Sequence, residues 1–229
     1  MVTHTLAYGK IAVKLFSRLS SPVDTPTPLA NFPRKMPMKE EAPSVIRAQL
    51  GQDEWISGAT ELMARLGIDG VRVEVLAKTL GVTKGSFYWH FKDRQDLLER
   101  LLETWREGRI RDIEKQTALT PGKEREQARH LIEVYSAGRN RKGIAIELAI
   151  RDWARRDAGA AKIVEKVDAH RLECTRKLFR IVGYEEPEAK ARSLMLYAYV
   201  FGQSLMLYEK FDDHLPALKE WVAERIVDK

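Results

Sequence analysis

The stretch VRVEVLAKTLGVTKGSFYWHF, from Val71 to Phe91, decides the fold of this 229-residue chain. Its apolar spacing predicts two short helices, over about 73–80 and 84–91, on either side of a tight turn. Gly81 lies in that turn and can adopt the positive φ angle that it needs. Thr83 is well placed to cap the second helix, because its hydroxyl can accept a backbone N–H. Four apolar residues are spaced to form a wedge between the helices: Leu76, Leu80, Val82 and Phe87. The pattern indicates a helix-turn-helix, and the alternative is an ordinary helical hairpin within a bundle.

The pattern of the chain is helical from residue 53 onward, and no window alternates with period two for long enough to form a sheet. Nine helices are predicted, over about 53–66, 73–80, 84–91, 93–116, 123–137, 143–156, 158–182, 187–210 and 215–227. The fold class is therefore predicted as all-α.

The run A-x3-G-V-T-K-G-S-F-Y-x-H-F, Ala77 to Phe91, is followed by Lys92-Asp93-Arg94 and by a pair of leucines. These residues resemble the tetracycline-repressor (TetR) family of bacterial transcription regulators, with the similarity running from about Asp53 to Leu102. The resemblance implies a homodimer whose subunits carry a helix-turn-helix head, over 51–111, and a larger C-terminal helical domain, over 112–229. It also implies that the C-terminal domain holds the dimer contact and binds a small-molecule effector of unknown identity.

The second helix of the motif would enter the major groove of double-stranded DNA by its N-terminal end. Lys84 supplies a cation for a phosphate or a guanine edge, and Gly85 lets the DNA approach without a side chain in between. Trp89 offers a flat face for a sugar or a thymine methyl group. The candidate DNA contacts are Arg72, Thr83, Lys84, Gly85, Ser86, Tyr88, Trp89, His90, Lys92 and Arg94. The alternative for each polar member is a solvated surface side chain.

Charge is concentrated at the motif, because five cations and two anions lie between Arg72 and Arg94. Such a local positive patch is typical of a DNA-docking surface. The sequence departs from the family pattern at Val71-Arg72, where the family usually has a Thr or Ser pair. The hydroxyl contact to phosphate is lost there, and Arg72 can replace it with charge.

Large apolar residues in the C-terminal half could line an effector pocket between helices. The candidates are Trp105, Ile113, Tyr135, Trp153 and Phe179. The alternative for each is a place in a filled core.

The helix over 187–210 is apolar around much of its circumference, and Ala198 and Gly202, four residues apart, allow close helix approach. With Trp221 and Ile226 on the last helix, it is predicted to form a four-helix dimer interface. The alternative is a buried helix inside a monomer.

Composition agrees with a helical globular chain, since 44% of the residues are hydrophobic, 31% are charged and the net charge is +6. A single cysteine, Cys174, fits a reducing cytoplasm. Residues 1–50 are basic and rich in proline, and are expected to form a disordered tail without a secretory signal. The apolar run from Leu194 to Tyr208 would span about 22 Å as a helix, too short for a membrane span.

Enzyme motifs such as H-E-x-x-H, G-x-S-x-G and G-x-G-x-x-G are absent from the sequence, which predicts neither catalytic residues nor a cofactor. His170 and Cys174 share a helix face, but two ligands without a third are a weak indication of a metal. The sequence thus predicts a dimeric repressor that binds a palindromic operator and responds to a ligand. The alternatives are an activator, a regulator without a ligand and, more remotely, a helical enzyme.

Overall fold

The computed structural model describes residues 50–118, 121–136, 141–206 and 210–228. Over these residues the fold is all-α, with nine α-helices, one 3-10 turn at Ile68–Gly70 and no strand, so the predicted fold class is confirmed. The helices are α1 Gln52–Leu66, α2 Val73–Leu80, α3 Lys84–Phe87, α4 Arg94–Thr117, α5 Glu124–Ser136, α6 Arg141–Ala154, α7 Ala158–Val182, α8 Glu186–Leu205 and α9 Leu215–Val227. The tail predicted over residues 1–50 lies outside the described residues except at its end.

Local hydrogen bonds build the predicted turn between α2 and α3. Gly81 has a φ of 69° and a ψ of 26°, in the left-handed region. The N–H of Val82 donates to the carbonyl of Ala77 at 3.0 Å and closes the end of α2. At the start of α3, the Thr83 hydroxyl accepts from the N–H of Ser86 at 3.4 Å. The turn and the cap that the sequence predicts are both confirmed.

Some helix bounds differ from the prediction. The motif's second helix ends at Phe87 instead of Phe91, because the chain turns through 88–90 and returns Phe91 to the core beside Phe87. The helix predicted over 187–210 ends at Leu205. The first helix begins at Gln52 and is capped by Gly51, without a side-chain hydrogen bond. The last helix begins at Leu215, as predicted, after His214, whose N–H donates to Asp212 Oδ1 at 2.6 Å.

Two clusters of buried side chains hold the described helices together. The first cluster takes residues from α1 to α4 and from α6 and α7, and the second takes residues from α5 and α7 to α9. Helix α7 contributes to both, from Ala160 to Val167 in the first and at Leu178 and Phe179 in the second. The domain boundary after residue 111 stays a prediction, and the first cluster contains side chains from both sides of it.

The apolar run that begins at Leu194 has two faces. Leu196, Tyr197 and Val200 are buried in the second cluster, whereas Leu194 and Leu205 are exposed. The alternative of a buried helix inside a monomer does not fit the exposed Leu194 and Leu205. Among the described helices, none combines the length and the apolar character that a membrane crossing requires.

We expect Gly81→Val to lower the free energy of unfolding by about 1–3 kcal/mol, because a β-branched residue is strained at positive φ. A Cβ atom at Gly81 would meet no heavy atom within 4 Å, so the loss is conformational and not steric. Gly81→Asn is the matched control, since asparagine tolerates the left-handed region. Urea unfolding of the three proteins measures the effect, and equal losses in the two variants would contradict this explanation.

Candidate nucleic-acid interface

Aromatic packing sets the rotation of α3 about its axis. Phe87 is fully buried, with its ring 5.4 Å from Trp55 in an edge-on arrangement and 5.1 Å from Phe91 in a stacked one. Because Phe87 points inward, the next two side chains point outward, and Tyr88 and Trp89 are 54% and 73% exposed. An exposed tryptophan is unusual for a side chain with so large an apolar area.

The N-terminal end of α3 is open to solvent. Thr83, Lys84 and Gly85 are exposed, and Ser86 is half-buried because its hydroxyl donates to the Thr83 carbonyl at 2.8 Å. A Cβ atom at Gly85 would meet only Thr83 Oγ1, at 3.8 Å, so nothing within the chain requires a glycine there. The bare backbone therefore leaves space for a partner outside the chain.

Lys84 forms an ion pair with Glu74 in the first turn of α2. The hydrogen bond between them raises the pKa of the Lys84 ammonium and lowers the pKa of the Glu74 carboxyl. Both side chains are largely exposed, so the pair lies on the solvent face of the helix-turn-helix.

His90 and Lys92 are held at the end of the turn that follows α3. The carbonyl of His90 accepts from Gln52 Nε2 at 3.2 Å, which links this turn to the start of α1. The N–H of Lys92 donates to Asp96 Oδ2 at 3.0 Å, while the Lys92 side chain is exposed. Arg72, just before α2, is exposed as well. Together with the α3 residues, these side chains form the edge that we call the reading edge: Arg72, Thr83–Ser86, Tyr88–His90 and Lys92.

Arg94 is placed differently from the prediction. Its guanidinium points into the protein, where Nε donates to the carbonyl of Val71 at 2.5 Å and Nη2 to that of Ile68 at 2.7 Å. These bonds tie the start of α4 to the loop before α2 and use donors that a phosphate contact would need. The structure therefore corrects the role of Arg94 from a DNA contact to a residue that positions the head.

The residues predicted to line an effector pocket are buried in the cores. Trp105, Ile113 and Trp153 belong to the first cluster and Phe179 to the second. The side chain of Tyr135 lies outside the described residues. None of the four lines the cavities described below, so their role in an effector pocket stays a prediction, with a filled core as its alternative.

A groove with a volume of about 640 Å³ lies between α6 and α7. Its lining residues are Arg151, Ala154, Arg155, Ala161, Val164, Glu165, Asp168, Ala169 and Leu172. Beside it, Arg151 donates to both carboxylate oxygens of Asp168, at 2.8 and 2.6 Å, and Arg171 donates to the buried Glu147 at 3.2 Å. This groove could not be predicted from the sequence, because its paired members Arg151 and Asp168 are 17 residues apart.

The predicted dimer residues divide into two groups. Ala198 and Trp221 are exposed, and Gly202 lies beside an apolar cavity of about 360 Å³ between α8 and α9. Ile226, in contrast, is 3% exposed and packs in the second cluster, so its assignment to a subunit interface is corrected. Large apolar side chains on the same two helices and their connection are exposed but were not singled out: Leu194, Met195, Leu205, Met206, Phe211 and Leu218.

His170 and Cys174 lie 3.5 Å apart, between Nε2 and Sγ, and His170 Nε2 is 3.4 Å from Glu114. Burial raises the pKa of the Cys174 thiol, which disfavours the thiolate that a metal needs. Within the part of the chain that the structure describes, no group of three or more potential ligands is arranged to hold a metal ion.

A turn closed by a left-handed glycine, a capped α3 and an exposed edge define a head of the helix-turn-helix class. Residues 56–101 match the family model described as bacterial regulatory proteins of the tetR family. The resemblance to the TetR family is confirmed over these residues.

Curated relatives match about a quarter of the chain. The tetracycline repressor protein class D of Escherichia coli is 39% identical over 54 residues, which cover 24% of this chain and 25% of the repressor. The chain thus spans about a quarter of the length of the curated relatives it matches.

Solved structures match over most of the described helices, at low sequence identity. A transcriptional regulator from Saccharomonospora viridis in complex with choline has a TM-score of 0.62 and 16% identity, over 76% of this chain and 94% of that one. The transcriptional regulator FadR from Bacillus subtilis in complex with stearoyl-CoA has a TM-score of 0.57 and 18% identity, over 76% and 97%. These likenesses show a shared fold.

We expect Arg94→Ala to lower the free energy of unfolding by about 1.5–3 kcal/mol, because hydrogen bonds from a charged donor to two carbonyls are lost. Arg72→Ala removes an exposed arginine and should change stability by no more than about 0.5 kcal/mol. Thermal and urea unfolding of both variants compare the two positions. A stable Arg94→Ala protein with weaker, less salt-dependent DNA binding would restore Arg94 to the DNA contacts.

Proposed function

We propose that the protein is a DNA-binding transcriptional regulator that binds a near-palindromic operator as a homodimer and represses transcription until a small ligand is bound. The observation that carries this proposal is the reading edge on a TetR-type head. Within this edge, Tyr88 and Trp89 are exposed because Phe87, the buried residue of α3, packs inward just before them.

The reading edge has the chemistry of a major-groove contact. Lys84 is the first residue of α3 and therefore extends furthest into the groove, with the bare Gly85 beside it. Tyr88 and Lys92 can donate to phosphates, and Trp89 can pack on sugars or thymine methyl groups. We assign the contacts with DNA to these residues together with Arg72, Thr83, Ser86 and His90.

The exposed apolar face of α8 and α9 supports dimerisation. Leu194, Met195 and Trp221 are at least half exposed in the single chain, and side chains of this size at one surface normally mark an interface. Close approach at Ala198 and Gly202 would let α8 and α9 of two subunits form a four-helix contact. Two heads held in this way can bind successive major grooves, about 34–36 Å apart.

The groove between α6 and α7 is the proposed effector site. Its apolar floor of Ala154, Val164 and Leu172 lies beside the charged pair of Arg151 and Asp168, a combination that can hold and orient a small amphipathic molecule. Two neighbours in fold carry choline and stearoyl-CoA, which supports a ligand site in this chain as well.

A route from this groove to the head runs through the last turn of α6. Arg156, next to the groove residue Arg155, pairs with Asp69 in the 3-10 turn at 3.2 Å. The same turn accepts the Arg94 hydrogen bond at Ile68. A ligand that shifts α6 would therefore act on the loop that positions α2, and with it on the separation of the two heads.

Selection from a random duplex library, followed by hydroxyl-radical footprinting, tests the proposal. We expect an enriched inverted repeat whose half-sites lie about one helical turn apart, both protected by the dimer. Enrichment of no sequence over the starting library would refute the DNA-binding function, and one protected half-site per bound monomer would refute the dimeric mode.

The dimer contact has a separate test at Gly202. A Cβ atom there meets no heavy atom of the described residues within 4 Å, so Gly202→Leu should fold normally while it blocks a second copy of α8. Overpacking of this kind costs about 1–3 kcal/mol, and a symmetric contact incurs it from both subunits. Sedimentation equilibrium should show a shift toward monomer.

Gly108→Leu is the control, because Gly108 is also a helical glycine with open space at its Cβ position. It lies on α4, away from the proposed contact, and should leave the dimer intact. A Gly202→Leu protein that is as dimeric as the Gly108→Leu protein would reject this face, as would a monomeric wild type at micromolar concentration.

A further inference from the structure

Glu74 is the acidic side chain that forms an ion pair with Lys84 on the reading edge. The sequence between Arg72 and Arg94 contains two acidic residues, and the other one, Asp93, accepts the N–H of Asp96 at 2.9 Å as the cap of α4. Glu74 instead reaches from the first turn of α2 to Lys84 at the start of α3. A carboxylate at this position is unexpected on a surface that is to bind a polyanion.

Lys84 and Glu74 are both accessible to DNA. Their side chains are 52% and 63% exposed, and they are joined by an ion pair that is also a hydrogen bond. Burial contributes little to holding them together, so an incoming acceptor can compete with the carboxylate for the ammonium group.

We propose that Glu74 is a specificity-determining residue, which screens Lys84 from the phosphates of arbitrary DNA while leaving it able to bind a guanine edge. This inference rests on the proposed DNA-binding function. Phosphates are present on every duplex, so a free lysine at the reading edge would attract all sequences alike. Paired with Glu74, Lys84 presents almost no net charge to a phosphate.

The discrimination between a phosphate and a guanine edge follows from the difference in charge between these two acceptors. An ammonium group has three N–H donors, and the bond to Glu74 uses one of them. The two remaining donors can reach guanine N7 and O6, which are uncharged and can lie beside a carboxylate. A phosphate in the same place would put its negative charge next to that of Glu74. The carboxylate therefore penalises the phosphate contact and tolerates the base contact.

The test is a double-mutant cycle on the full-length protein, with Glu74→Gln, Lys84→Ala and the double variant. Fluorescence anisotropy measures the affinity for the selected operator and for a duplex of scrambled sequence, from 50 to 300 mM KCl. We expect Glu74→Gln to bind the scrambled duplex about two- to fivefold more tightly for each head. This factor corresponds to the free energy that an exposed ion pair contributes. The affinity of this variant for the scrambled duplex should also depend more steeply on salt concentration, by the amount expected for about one more phosphate contact per head.

Glu74→Gln should raise the affinity for the operator less than the affinity for the scrambled duplex. The ratio of operator affinity to scrambled affinity therefore falls in this variant. In the Lys84→Ala background, the same substitution should give a smaller gain, because it then removes only the repulsion of an unpaired carboxylate and frees no lysine. Lys84→Ala alone should weaken binding to both duplexes, and binding to the operator more.

Glu107→Gln is the matched control. Glu107 is exposed on α4 and pairs with Arg111 at 3.7 Å, so the substitution removes the same charge from a similar ion pair. It should leave both affinities unchanged. Glu74→Asp keeps the charge on a shorter side chain, and it should gain less on the scrambled duplex than Glu74→Gln, because its carboxylate still opposes a phosphate. Thermal unfolding confirms that each variant is folded.

Two results would overturn the inference while leaving the proposed function in place. One is a Glu74→Gln protein that binds both duplexes as the wild type does. The other is an equal gain from Glu74→Gln with and without Lys84, which would mean that the carboxylate acts through its own field. A wild type that does not distinguish the selected duplex from the scrambled one would refute the DNA-binding function itself.

Discussion

The burial of Phe87 against Trp55 is the constraint on which the arrangement of the head depends. Phe87 is the only fully buried residue of a four-residue helix, and its edge-on contact with Trp55 and stacking on Phe91 fix that helix to α1. A helix so short has little stability of its own and takes its orientation from such packing. Lys84 and Trp89 are consequently held on the outside, where a partner can reach them.

The same core extends beyond the head. Trp55 and Phe87 belong to one cluster with Trp105 on α4, Ile150 on α6 and Val164 on α7. The head therefore packs on the helices that line the groove at Arg151 and Asp168. A rearrangement of α6 must be accommodated by this shared core, since packed interiors respond to strain by moving as units. The ion pair of Arg156 with Asp69 adds a contact at the edge of that core.

Features that depend on near neighbours in the chain could be predicted from the sequence. The left-handed Gly81 and the Thr83 cap each involve hydrogen bonds over five residues or fewer, and the structure has both. Such signals lie within one helical turn and do not depend on tertiary packing.

Features that depend on distant neighbours could not be predicted in this way. Arg94 looks like a phosphate ligand until the fold brings it to two carbonyls 23 and 26 residues earlier. Ile226 and Trp221 are both apolar positions of α9, but only the packing of α9 on the second cluster shows that the first is core and the second surface. The pair of Glu74 and Lys84 likewise appears only when α2 and α3 are set against each other.

The central claim is that DNA contacts the edge of the head that the packing of Phe87 exposes. Hydrogen exchange followed by mass spectrometry, with and without the selected operator, tests it most directly. Amides of residues 83–92 and of the first turn of α2 are predicted to exchange more slowly in the complex, because they become covered by the duplex, while amides of α5 keep their rates. Slower exchange in α5 to α7 with no change over residues 83–92 would contradict this account.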